Sequence, residues 1–153
     1  MVALSKRGFK ISVSNFIDAQ AAALSPALHV VYDKSLTDAT VTDTSIKEWI
    51  SVNFGTLDFE GTCEGTVEIF ILTREDPEGL KSDEIFDSVH GFFSDPAMPD
   101  GNKRIPFYEV KNGALVQTST MWLARITPMK EFSLSDETKV CPTQLVFAWS
   151  GTL

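Results

Sequence analysis

Thr66-Val67-Glu68-Ile69-Phe70-Ile71-Leu72-Thr73 is the stretch on which the fold turns. Successive side chains of a strand point to opposite faces, so Val67, Ile69 and Ile71 share one face while Glu68, Phe70 and Leu72 share the other. Apolar residues on both sides predict a central strand covered on both faces. Just upstream, Trp49-Ile50-Ser51-Val52-Asn53-Phe54 repeats the alternation, with Ile50, Val52 and Phe54 on one side. Downstream the period changes. Ile85, Phe86, Val89, Phe92 and Phe93 fall at i, i+1, i+4, i+7 and i+8, the stripe of an amphipathic helix laid along a sheet. Ser82 is the expected N-cap, with Asp83 and Glu84 at the positive end of the helix dipole. Gly91 lowers helix propensity by about 1 kcal/mol relative to alanine, which suggests a close backbone approach to the sheet or to a neighbouring subunit.

Outward from this block the pattern continues. Residues 13–24 read as a first helix capped by Ser14 or Asn15 and stopped by Pro26, and residues 27–33 as a strand. Residues 34–45 are rich in Thr, Asp and Ser and read as an exposed connection. The connection 55–65 alternates Leu57 and Phe59 with polar residues, so the strands on either side are expected to project as an extended β-hairpin arm. Two prolines and a glycine make residues 95–104 a loop. Strand 105–110 turns at Lys111-Asn112-Gly113-Ala114 and pairs back through 115–117, because Asn-Gly suits the positive φ values of tight hairpins. Residues 121–127 and 144–149 are the last two strands, separated by a polar, mobile segment, 130–140. No internal repeat or linker is visible, and 1–153 reads as a single domain.

Composition narrows the function classes. The chain is 43% hydrophobic with 11 phenylalanines, enough for a core without metal or disulfides, and no apolar run nears the ~20 residues of a membrane span. Its start lacks the features of a secretory signal, so a soluble cytoplasmic product is expected. Cys63 and Cys141 are far apart and outside any zinc or redox spacing, which predicts free thiols, with a Cys63–Cys141 bridge as the lesser alternative in a reducing compartment. A formal net charge of −8 opposes binding to nucleic-acid backbone; Lys6-Arg7 and Lys103-Arg104 are isolated pairs. Such a surface serves solubility, or lines a passage through which DNA slides without sticking.

No catalytic set emerges. His29 and His90 stand alone, and the run Arg74-Glu75-Asp76-Pro77-Glu78-Gly79 fits a solvated lead-in to the helix better than a cation loop. Phosphate-cradling glycine loops and serine nucleophile elbows are missing. The expectation is therefore a protein that is not an enzyme and uses no cofactor or metal.

The order of helix, strand, Trp49-led strand, strand ending Thr73-Arg74-Glu75-Asp76, helix over 85–93 and Ile105-Pro106-Phe107-Tyr108 resembles the tail terminator proteins of long-tailed bacteriophages, from Phe16 to Trp149. The resemblance implies an α+β fold whose antiparallel sheet is flanked by two helices. It also implies a ring-forming subunit, typically of a hexamer, located in the virion tail or neck and in host cytoplasm during assembly. Its partners would be copies of itself, the tail tube protein, a head connector or neck protein and a sheath protein, with DNA passing through the lumen unbound and no membrane involved. Trp49, Leu57, Phe59, Lys103, Arg104 and Trp122 are the candidate contact residues, since large amphipathic aromatics favour interfaces. Core burial is the competing expectation for Trp49, Trp122 and Trp149. Other functions consistent with the pattern are a neck or head-completion protein, a tail tube subunit, or a small enzyme or ligand-binding domain.

Overall fold

A computed structural model describes residues 5–33, 45–59, 62–134 and 137–150. The elements run α1 (Lys6–Ala23), β1 (His29–Tyr32), β2 (Glu48–Asp58), β3 (Thr62–Thr73), α2 (Leu80–Phe92), β4 (Ile105–Lys111), β5 (Ala114–Pro128), β6 (Phe132–Ser133) and β7 (Lys139–Ser150). Seven strands form one sheet in the order β1-β2-β3-β7-β5-β4, with β6 also pairing with β7. The sheet is strongly curled into a half-barrel, and the class is α+β as expected. It is mixed rather than antiparallel, because β1 runs parallel to β2.

Helix α1 lies between the two outer strands. On β4, the Ser12 hydroxyl accepts from Tyr108 N–H at 2.7 Å, and Ser5 donates through N–H and hydroxyl to the Glu109 carboxylate at 2.8 and 2.7 Å. On the β1 side, the Tyr32 hydroxyl donates to Asp18 at 2.6 Å and Lys10 pairs with Asp33 at 2.9 Å. Its stripe of Phe9, Val13 and Ile17 is buried in the same cluster as Val67, Ile69 and Ile71 of β3. Phe9 stacks on Trp149 at 5.3 Å, and Phe93 meets Phe147 edge-on at 5.2 Å and Phe16 at 5.4 Å, so both helices share one core with the concave face.

Several expectations change. Helix α1 starts two turns earlier than residue 13, because Ser5 caps it by accepting from Gly8 N–H at 2.9 Å. Ser82 is buried inside α2, not its cap; the N-cap is Gly79, in the left-handed region at φ 73°. Gly91 marks no close approach to the sheet, being exposed with nothing within 4 Å of where a Cβ would stand. The strands expected at 115–117 and 121–127 are one, β5, and segment 130–140 contributes β6. The connection expected over 34–45 falls almost wholly outside the described residues. Loop 95–104 is present and closed on itself, with Asp95 N–H donating to Gly101 C=O at 2.8 Å and Lys103 N–H to Phe93 C=O at 2.9 Å.

The projecting arm is also displaced. Strands β2 and β3 do form a hairpin, but β3 pairs with β7 along its whole length, from Thr62↔Ser150 to Thr73↔Lys139. The hairpin is thus part of the sheet. Cys63 is opposite Trp149 and Cys141 opposite Ile71 on this ladder, roughly 25 Å apart at ~3.3 Å per residue, which rules out a disulfide between them. On the convex face a smaller cluster of Trp49, Leu72 and Val140 covers the far side of β3, with the Arg74 guanidinium 4.7 Å from the Trp49 ring centre.

Candidate interaction surfaces

The structure that does project is the β4–β5 hairpin. Strand β5 meets β7 only from Met121↔Trp149 to Pro128↔Thr143; among the described residues, 114–120 pair with β4 alone. Asn112 and Gly113 take φ values of 51° and 78°, as a two-residue Asn-Gly turn requires. A register shift interrupts the pairing between Phe107 and Tyr108. Tyr108 and Glu109 still pack on α1, and the last two pairs, Val110↔Leu115 and Lys111↔Ala114, extend about 7 Å beyond them. Its root is fixed by Glu109, which is 6% exposed and holds Ser5. Its outer part carries Leu115 and Val116, 48% and 40% exposed. Two adjacent apolar residues on a strand cannot both face one core, so at least one is left over.

At the other end of the sheet, the turn between β3 and α2 is built on Asp76. Its carboxylate accepts from Ser82 N–H at 2.9 Å, Lys81 N–H at 3.1 Å and the Thr73 hydroxyl at 3.0 Å. Burial pushes this carboxyl up, but the donated hydrogen bonds outweigh it and hold the group below the ordinary aspartate value. Leu80 follows directly and is 66% exposed, with Glu75, Glu78, Asp83 and Glu84 exposed around it in sequence.

The six residues expected to make contacts do not form one site. Trp49 is fully buried and is corrected to a core residue of the convex cluster, as is Trp149 on the concave side. Leu57 is half-buried against the main core. Phe59 is 46% exposed at the tip of the β2–β3 hairpin, its ring edge-on to Trp149 at 6.3 Å. The remaining three stand together: Arg104 pairs with Asp100 at 3.0 Å and covers the half-buried Trp122 ring at 5.2 Å, and the neighbouring Lys103 ammonium lies 5.7 Å from the Phe16 ring centre.

Neither a protein-family model nor a curated relative matches this sequence. Among the described residues, no helix is long and apolar enough to cross a membrane, and no group of His, Cys, Asp and Glu is placed to hold a metal ion. An open cavity of about 970 Å³ is lined by Lys47, Arg74, Glu75, Asp76, Pro77 and Lys139 among others. Its cations are engaged: Lys47 with Glu75 at 3.0 Å, Arg74 with Ile46 C=O at 3.0 Å, and Lys139 with Pro77 C=O at 2.9 Å. It is a furrow whose walls are bonded to each other.

Sequence reasoning missed Leu80, Leu115 and Val116. The signal for the last two was the apolar pair directly after an Asn-Gly turn, which breaks the inward-outward alternation. Leu80 had no such mark, because one leucine in an acidic turn reads equally well as the first core position of the helix.

Proposed function

We propose that this chain is a structural subunit of a long-tailed bacteriophage virion, a tail terminator that forms a ring on the finished tail tube and offers its other face to the head connector. The observation that carries the reading is the β4–β5 hairpin, which exposes apolar side chains and whose residues 114–120, among the described residues, have strand pairing to β4 alone. An exposed strand edge is a template for another chain, and natural proteins blunt such edges unless they use them. The α+β order of elements supports the same reading through the resemblance from Phe16 to Trp149. Copies of the chain, the tail tube protein, a neck protein and a sheath protein are the partners this assigns. The negative charge would keep DNA moving through the ring without adhesion.

The test is made on particles. Depleting the chain during phage assembly is expected to give tails of uncontrolled length that do not join heads, and purified virions should contain it at the tail–neck junction. Tails of normal length joined to heads in its absence would end the proposal. A ligand-binding domain is the second reading, favoured by the 970 Å³ furrow. A monomer in particle-free lysate whose melting temperature rises with small anions would select it instead.

A further inference from the structure

We propose that copies of this chain associate head to tail, the cation-ringed β4–β5 hairpin of one docking on the acid-ringed Leu80 turn of the next. This deepens the reading as a ring subunit by naming the two surfaces that meet. Lys6 and Arg7 are exposed in the first turn of α1, which holds no acidic residue although the helix dipole favours carboxylates there. Ser5, the cap of that helix, is bound by Glu109 of β4, and strand alternation puts the exposed Lys111 on the same side as Glu109. Among the described residues, none of Lys6, Arg7 and Lys111 makes an ion pair. Three exposed cations therefore stand at the end of the molecule that also exposes Leu115 and Val116, Lys6 being drawn in part toward Asp33.

The opposite end has the opposite character. Leu80 is the most exposed large apolar side chain described, and it lies between Glu78 and the pair Asp83 and Glu84, with the cation beside it, Lys81, offset by Glu48 at 3.4 Å. Glu84 is 3.5 Å from Lys81, while Glu78 and Asp83 make no ion pair among the described residues. An apolar knob inside acid thus matches an apolar strand inside base. Strand β3 runs from one end to the other, about 40 Å for its 12 residues, so the two surfaces cannot meet within one chain. A contact between different patches on identical copies is heterologous and repeats, closing into a ring where the rotation permits.

The experiment is a charge swap read by analytical ultracentrifugation and native mass spectrometry. Wild-type protein should self-associate at low salt and dissociate as salt is raised. K6E/R7E/K111E and E78K/D83K/E84K should each bind themselves roughly ten- to a hundredfold more weakly. Mixing the two should restore association, since each then offers the charge that the other lacks. The first triple variant keeps its fold, because Lys6→Glu and Arg7→Glu obey the helix dipole, and an unchanged or raised melting temperature verifies that. Wild type that stays monomeric at its highest soluble concentration, K6E/R7E/K111E that associates like wild type, or a mixture that fails to associate would each overturn the proposal. A chain found at the tail–neck junction of virions but indifferent to the swap would keep the ring reading and lose only this interface.

Discussion

Gly8 and Gly91 should respond to the same substitution with opposite signs. Both are helical, and alanine gains about 1 kcal/mol of helix propensity over glycine at each. At Gly91 nothing lies within 4 Å of the added methyl, so the gain stands alone. At Gly8 the methyl would be 2.7 Å from the Tyr108 carbonyl oxygen and 2.8 Å from Oε1 of Glu109, against 3.4 Å or more for an ordinary contact. The obstacle is backbone, so the start of α1 must retreat from β4 by about 0.7 Å, which lengthens the Ser12–Tyr108 and Ser5–Glu109 hydrogen bonds. Overpacking costs ~1–3 kcal/mol, and weakening the bonds of a buried carboxylate ~1.5–3 kcal/mol. After the propensity gain, Gly8→Ala should destabilise by about 1.5–5 kcal/mol and lower Tm by roughly 3–20 °C, while Gly91→Ala should raise Tm by about 2–4 °C. Urea titration and thermal melts followed by far-ultraviolet circular dichroism measure both. A Gly8→Ala protein as stable as Gly91→Ala would refute the close packing of α1 on β4.

Three further outcomes are expected from the same assays. Phe93→Ala should lose ~3–5 kcal/mol, because Phe93 is 1% exposed, whereas half-buried Phe86→Ala should lose only about 1–3 kcal/mol; equal losses would show that the stripe of α2 is misplaced. Asp76→Asn should weaken the start of α2 by about 1 kcal/mol at neutral pH. Because the folded-state pKa of Asp76 lies below its unfolded value of about 3.9, the contribution is complete above that pH and disappears as pH falls through the folded value, so wild type and variant should converge in acid. His90→Gln should shift stability by less than about 0.5 kcal/mol, since the imidazole is exposed on α2; loss of assembly with unchanged melting would place a site there.

The alternation of residues 66–73 and the stripe 85–93 were legible because each has a single period and a single burial partner. The packing of Val67, Ile69 and Ile71 in one cluster with Val89 and Phe93 follows from those periods. Start signals were less readable. Ser5 caps α1 across a Lys-Arg-Gly sequence that looks like an unstructured lead, and the helix survives its glycine because β4 needs the space. Asp76 replaces a local cap from six residues away, a distance that capping patterns do not cover. The arm was misassigned for a different reason: whether a hairpin projects depends on how far a third strand accompanies it, and among the described residues β7 follows β3 as far as Thr62 but β5 only as far as Met121. Strand order is a tertiary fact that neither hairpin encodes locally.

The position of α1 between the outer strands has a consequence in time. Ser5 binds Glu109 across 104 residues of chain, so on a ribosome adding ~5–20 residues per second the helix waits about 5–20 s for the strand that seats it. During that interval Phe9, Val13 and Ile17 have no half-barrel to enter. Until then the apolar stripe of α1 has only the early strands to pack on, and closure of the half-barrel waits for the arrival of β4, β5 and β7.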